Sequence, residues 1–250
     1  APPRLTAAGF GDLMVNYIAL ADAQIAALIT GRPINHKLFA AELLAMKKVI
    51  EQLDDLAAGN PSVCEQLLFA LILPDMEIGF YNAARPLMGA EHHLSRYLDI
   101  SVEQPRLDAV HGEKVGIGTL LCLKAYEHFK TALKNHQLIP AAHYPPAAKE
   151  IRKGFWNTEV REAVTLLNTP DPLADITGEQ VLAHEKEILE ILDELPSSHD
   201  IEICFQKMGC KTMIEELGIG DDMIRLAMIY SPYVSHDITL LRLMKLFENH

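Results

Sequence analysis

Three short stretches of the sequence combine potential metal ligands with glycine and the start of an apolar helical pattern. They are GFGDL at 9–13, GAEHH at 89–93 and HGEK at 111–114. Together they offer one aspartate, Asp12, and three histidines, His92, His93 and His111. One carboxylate and two imidazoles suit a divalent cation, and a site with three protein ligands keeps a fourth position open. An ion held in this way can polarise a carbonyl and stabilise a developing alkoxide.

Spacing alone leaves simpler interpretations of these residues open. The stretches lie far apart, and no compact motif such as H-E-x-x-H connects them. Asp12 follows a glycine, so it could be the N-cap of a helix. A lone histidine in a helix is more often a partly buried residue with its own hydrogen bonds than a metal ligand.

The elements that position these residues are predicted to be helices. Apolar residues recur at three-and-four spacing, and no stretch alternates long enough to propose a sheet. We therefore predict an all-α, bundle-like domain over residues 1–250, with a kink at Pro74. Long loops are expected at 136–149 and 168–178. The predicted helices are 12–29, 35–58, 62–84, 89–99, 111–134, 157–167, 178–194, 210–217, 220–229 and 235–248.

Glycines at 112, 116 and 118 interrupt the helical pattern that starts at His111. Glycine destabilises a helix interior, so each position needs a reason. Close packing of helix on helix is the favoured explanation, and close approach of a ligand is the alternative.

Charge and composition exclude some classes of partner. The formal net charge is -12, which argues against nucleic acid, because phosphate neutralisation needs clustered lysine and arginine. The longest apolar stretch, 67–74, is too short to cross a bilayer, so no membrane association is expected. The four cysteines show no C-x-x-C spacing, which favours a reducing compartment and a cytoplasmic protein. The sequence has no G-x-G-x-x-G after a strand and no P-loop.

Three stretches resemble the metal-binding half of the glycerol dehydrogenase and dehydroquinate synthase superfamily. They are AAGFGDLMVNYIALAD (7–22), RPLMGAEHH (85–93) and HGEKVGIGTLL (111–121). The GAEHH form, with YSPYVSHDITLLRL near the C-terminus, is most similar to the sn-glycerol-1-phosphate dehydrogenase branch. The resemblance implies that Asp12, His92 and His111 are catalytic metal ligands, for Zn²⁺ or for Ni²⁺ or Fe²⁺.

The resemblance also implies a reaction and a missing partner domain. Enzymes of this branch reduce a carbonyl with a nicotinamide, so glycerol 1-phosphate, dihydroxyacetone phosphate or a related polyol is the expected substrate. The chain looks like the C-terminal half of a dehydroquinate synthase-like fold without its Rossmann-like half. NAD(P) would bind through that missing N-terminal domain, and the isolated chain is expected not to turn over. A homo-oligomer is a possible assembly.

Other residues near the motifs have both functional and structural interpretations. Arg85 and Lys114 are candidate substrate contacts, but Arg85 could be a charge at a helix end and Lys114 a surface charge. Glu91 could orient a ligand, or it could be a solvated helix-start glutamate. His93 points about 100° away from His92 on a helix, so we expect it to be structural.

Two departures from the branch put the substrate in question. Met88 stands where a serine usually precedes the glycine, and the run 234–237 after Tyr233 is VSHD, without the usual arginines. The alternative hypothesis is therefore a non-enzymatic metal-binding or interaction module that lacks a cofactor domain. A lyase of the dehydroquinate synthase type ranks lower, because that branch uses more basic residues around its substrate.

Overall fold

The fold is built from α-helices. The computed structural model describes residues 2–81, 88–101 and 109–248, and for 75–81 the course of the backbone alone. These residues contain no strand, and one isolated antiparallel bridge pairs Pro140 with Phe247. The predicted all-α class is confirmed. In the described ranges the helices are α1 Pro3–Thr30, α2 His36–Ile50, α3 Leu53–Ala57, α4 Pro61–Tyr81, α5 Ala90–Ser101, α6 His111–Lys134, α7 Ala147–Gly154, α8 Thr158–Leu167, α9 Gly178–Leu182, α10 Glu185–Asp193, α11 Ser198–Met208, α12 Asp221–Tyr230 and α13 Leu240–Leu243.

The first helix starts earlier than the apolar pattern indicates. Helix α1 begins at Pro3, whose fixed backbone angle and missing N–H suit the first helical position. It ends at Thr30, and the capping residue Gly31 adopts a left-handed conformation with φ of 69°. Asp12 therefore lies inside the helix, and its interpretation as an N-cap is wrong. The expectation that all three motifs open helices holds for α5 and α6 only.

Several other helix boundaries also differ from prediction. The helix predicted at 35–58 is divided between α2 and α3, and that at 178–194 between α9 and α10. The predicted loop at 136–149 gives way to α7 directly after Pro146. The helices predicted at 210–217 and 235–248 shrink to short 3-10 turns and α13. Helix α4 runs through Pro74, and the predicted kink there stays a prediction.

Glycines bring α1 and α6 into backbone contact. A Cβ added at Gly11 would lie 2.6 Å from the carbonyl oxygen of Gly112, and one at Gly112 would lie 1.9 Å from that of Ala8. A Cβ at Gly116 would lie 3.4 Å from the Cα of Gly11. The distances at Gly11 and Gly112 leave no room for a side chain at the crossing, whereas a Cβ at Gly116 would make ordinary van der Waals contact. The packing explanation predicted for the glycines of α6 therefore applies at position 112.

Apolar residues of α1 fill the centre of the core. By length and composition this helix could cross a membrane, but 61% of its most apolar window is buried by the rest of the protein. The residues of α1 that are at most 1% exposed are Phe10, Leu13, Met14, Ile18, Asp22 and Ile25. Packing inside the helical core thus accounts for the apolar character of this helix.

Candidate metal centre

Asp12, His92 and His111 come together from three different helices. Asp12 lies on α1, His92 in the first turn of α5, and His111 is the first residue of α6. Each residue offers one potential ligand atom, and these three atoms all lie within 4.8 Å of one another. Asp12 Oδ1 is 3.7 Å from His111 Nε2, and the centroids of the His92 and His111 rings are 5.3 Å apart. Ligands of a tetrahedral Zn²⁺ are about 3.3 Å apart, so small side-chain rotations would complete such a site.

The glycine crossing explains why Asp12 meets His111. Asp12 directly follows Gly11, and His111 directly precedes Gly112, the two glycines whose backbones touch. Backbone contact between the helices therefore places the carboxylate and the imidazole side by side. Their side chains are 35% and 55% exposed, so the site opens toward the surface of the described chain.

A buried carboxylate orients His92. Glu91 is fully buried, and its Oε1 lies 2.8 Å from Nδ1 of His92. When Nδ1–H donates to this oxygen, Nε2 carries the ring's lone pair, which is the form that binds a metal. The interpretation of Glu91 as a solvated glutamate is wrong. A Cβ at Gly118 would lie 2.7 Å from the carbonyl oxygen of Glu91, so this glycine also serves close packing.

The electrostatic surroundings favour a neutral His111. Partial burial lowers the pKa of its imidazole, the nearby Asp12 carboxylate opposes this shift, and His92 and Lys114 add to the lowering. A metal binds only the deprotonated ring nitrogen. A lowered pKa therefore keeps His111 in its ligand form at neutral pH.

Several known proteins that are similar to this chain are glycerol-1-phosphate dehydrogenases. No family model matches. The enzyme of Geobacillus stearothermophilus is 26% identical over 89% of this chain and 48% of its own length. That of Pyrococcus abyssi is 31% identical over 74% of this chain and 52% of its own length. Both are named glycerol-1-phosphate dehydrogenase [NAD(P)+].

The resemblance predicted from the motifs is confirmed. The chain spans about half the length of the glycerol-1-phosphate dehydrogenases that it matches. This coverage is consistent with a C-terminal portion of such an enzyme. The names support an oxidoreductase family, and they do not favour the alternative of a non-enzymatic module.

Of the two predicted substrate contacts, only Lys114 lies in the described chain. Its side chain is 11% exposed and its Nζ pairs with Asp99 of α5. The interpretation of Lys114 as a surface charge is therefore wrong, and its role in substrate binding stays a prediction. Arg85 lies outside the described residues, and its role stays a prediction as well.

His93 lies in the core and outside the three-ligand group. It is 1% exposed, and its Nε2 is 4.0 Å from Oδ2 of Asp237. Burial lowers the pKa of its imidazole to about 3, so the ring is neutral. This placement agrees with the structural interpretation of His93.

Arg242, the arginine of the C-terminal motif, has a structural environment. Its guanidinium is fully buried and donates to the carbonyl oxygens of Pro232 and Ser235 and to Oδ1 of Asn168. These bonds fix the 3-10 turn at Ser231–Tyr233 against α8 and α13. Arg242 therefore joins these segments inside the core.

Sequence reasoning missed two carboxylates on the helices that carry the proposed ligands. Asp99 pairs with Lys114 and lies on α5 two turns beyond His92, a spacing that could have drawn attention to it. Asp22 is fully buried in the apolar stretch of α1. A charged residue inside an apolar run is the only sequence signal that marks it.

Proposed function

We propose that residues 1–250 form the metal-binding catalytic domain of an NAD(P)-dependent dehydrogenase. Its substrate would be glycerol 1-phosphate, dihydroxyacetone phosphate or a related polyol, as the names of the relatives suggest. Asp12, His92 and His111 would hold the ion, Zn²⁺ or alternatively Ni²⁺ or Fe²⁺. The observation that carries the proposal is that these three residues, each from a different helix, bring one potential ligand atom each within 4.8 Å of the others.

The donor set and its surroundings fit a divalent cation. Two imidazoles and one carboxylate leave one position open in a tetrahedral site. The bound ion would act as a Lewis acid on the oxygen of a carbonyl or alcohol. Within this chain, Glu91 holds the tautomer and direction of His92, burial keeps His111 neutral, and Asp12 supplies the negative charge.

The remaining parts of the reaction would involve Lys114 and a nicotinamide. Lys114 lies one turn beyond His111 on α6 and is close enough to lower the pKa of that imidazole. It would meet a substrate phosphate once its pair with Asp99 opens. The nicotinamide would bind to a part of the complete protein outside these residues.

A cytoplasmic location belongs to the same proposal, because Cys64, Cys122, Cys204 and Cys210 are free thiols.

Metal content tests the proposed ligand set directly. We expect near-stoichiometric zinc, nickel or iron in the purified chain and its loss in His111→Ala, because two ligands cannot retain the ion against a chelator. Elemental mass spectrometry measures this, with His143→Ala, an exposed loop histidine, as the matched control. An absence of metal in the unmodified chain after incubation with excess Zn²⁺ would overturn the proposal.

Glu91→Gln should weaken metal binding without removing a ligand. The amide keeps the shape of the side chain but takes away the negative charge beside His92 Nδ1. Loss of such an orienting partner typically reduces metal affinity by about 10–100-fold. Competition with a chromophoric chelator measures the change. Glu150→Gln, which affects a carboxylate paired with Lys153, serves as the control, and equal affinity of the two variants would contradict the role of Glu91.

A further inference from the structure

Asp22 accepts three hydrogen bonds in the interior of the protein. Its side chain is fully buried. Oδ1 accepts from the hydroxyl of Tyr126 at 2.6 Å and from the backbone N–H of Leu240 at 2.8 Å. Oδ2 accepts from the backbone N–H of Ala90 at 2.8 Å. A single carboxylate thus contacts three other segments of the chain.

The partners of Asp22 belong to the helices that carry the three proposed ligands. Asp22 itself lies on α1 with Asp12. Ala90 is the first residue of α5, two positions before His92, and Tyr126 lies on α6 with His111. Leu240 adds the start of α13. The hydrogen bonds of Asp22 therefore connect α1, α5 and α6 directly.

Two of these donors would have no partner inside their own helices. Ala90 and Leu240 are the first residues of α5 and α13, and the first N–H groups of a helix lack intrahelical acceptors. An apolar side chain at position 22 would leave both N–H groups buried and unpaired, which is unfavourable. Burial of the carboxylate is itself unfavourable and raises its pKa to about 7, against the effect of the three donors. Packing alone does not require a charge at this position.

We infer that Asp22 is a positioning residue, which sets α1, α5 and α6 relative to one another and so brings the three proposed ligands into register. The inference rests on the proposed metal site. Asp22 lies ten residues beyond Asp12, about 15 Å along α1, so it acts on the site only through the helices.

Replacement by asparagine breaks this connection while it keeps the shape of the side chain. The amide offers one acceptor oxygen, so its NH₂ group must face either Ala90 N–H or the pair formed by Tyr126 and Leu240. In the first orientation two donors oppose each other at the start of α5. In the second the amide opposes the N–H of Leu240, and only the hydroxyl of Tyr126 can turn to accept from it. Tyr126→Phe is the milder variant, because it removes only the bond to α6.

The experiment compares Asp22→Asn, Tyr126→Phe and Asp171→Asn with the unmodified chain. Asp171 is a matched control, because its carboxylate also accepts from backbone N–H groups, those of Ala147 and Leu173, but outside the three ligand helices. Zn²⁺ affinity is measured by chelator competition at a temperature where each protein is folded by circular dichroism. The visible spectrum with Co²⁺ in place of Zn²⁺ reports the coordination geometry.

We expect Asp22→Asn to bind Zn²⁺ at least about 10-fold more weakly, with an altered Co²⁺ spectrum. Tyr126→Phe should show a smaller loss of affinity, and it decides the matter if Asp22→Asn does not fold. Asp171→Asn should bind like the unmodified chain even where its stability falls. Equal affinity and equal spectra in all four proteins would overturn the role of Asp22 and leave the metal site standing. Absence of binding in all four would overturn the proposed function, and the inference would fall with it.

Discussion

Gly112→Ala is expected to lower the free energy of unfolding by about 3 kcal/mol, at the upper end of the usual effect of overpacking. The added methyl carbon would lie 1.9 Å from the carbonyl oxygen of Ala8 and 2.6 Å from its carbonyl carbon. Both contacts are with backbone, so no side-chain rotation relieves them. Helices α1 and α6 would have to separate, and Asp12 would move away from His111. We therefore expect metal affinity to fall together with stability.

Urea unfolding and chelator competition measure the two effects. Gly9→Ala is the control on α1, because its new Cβ would lie 3.4 Å from Cδ1 of Leu71, which is ordinary contact with a flexible side chain. This variant should keep its metal affinity and gain about 0.5–1 kcal/mol from better helix propensity. Unchanged stability and affinity in Gly112→Ala would show that the glycine crossing does not position the site.

The proposed ligand set could be named from the sequence because its members belong to short motifs that resemble those of a known family, and the structure brings the three residues together. GFGDL and HGEK place a proposed ligand directly beside a glycine, and the structure explains this for Asp12 and His111 by the crossing of α1 and α6. The helical class followed from apolar periodicity. The N-cap interpretation of Asp12 failed because Pro3 starts α1 early and glycines at 9 and 11 do not end it. The resemblance to a dehydrogenase family also came from motifs, and not from composition.

Other features depend on contacts that no local pattern contains. The partners of Asp22 lie 68, 104 and 218 residues away along the chain. Only the assembled fold brings these donors to one carboxylate. Helix α11 was not among the predicted helices, although the sequence contains a capping residue for it. The side chain of Ser197 accepts a hydrogen bond from the N–H of Asp200 at 3.1 Å, as in other capped helix starts. Attention to capping residues would have found it.

Asp22→Asn is expected to be most destabilising in acid and less so as the pH rises. Burial is the largest influence on the Asp22 carboxyl and raises its pKa from 3.8 to about 7, in spite of the bonds from Tyr126 and Leu240. Between these two values the folded protein binds a proton at Asp22 and the unfolded chain does not. Stability from this group is therefore fully present below about pH 4 and is lost as the pH rises toward 7.

The difference in unfolding free energy between the unmodified chain and Asp22→Asn isolates this contribution. His93, whose pKa burial lowers to about 3, opposes the trend in this range, and Glu113, whose pKa is lowered to about 2 first by its hydrogen bond with Arg4, opposes it only in stronger acid. Both residues are present in each protein, so their effects cancel in the difference. From pH 5 to pH 8 we expect the difference to shrink by about 3 kcal/mol. Urea titrations across this range, with a chelator present to remove metal, provide the measurement.

A difference that stays constant with pH would mean that the three donors outweigh burial and that Asp22 is charged throughout. In that case Asp22 would connect the three ligand helices as a carboxylate at every pH in this range, and pH would affect the site only through the ligands themselves.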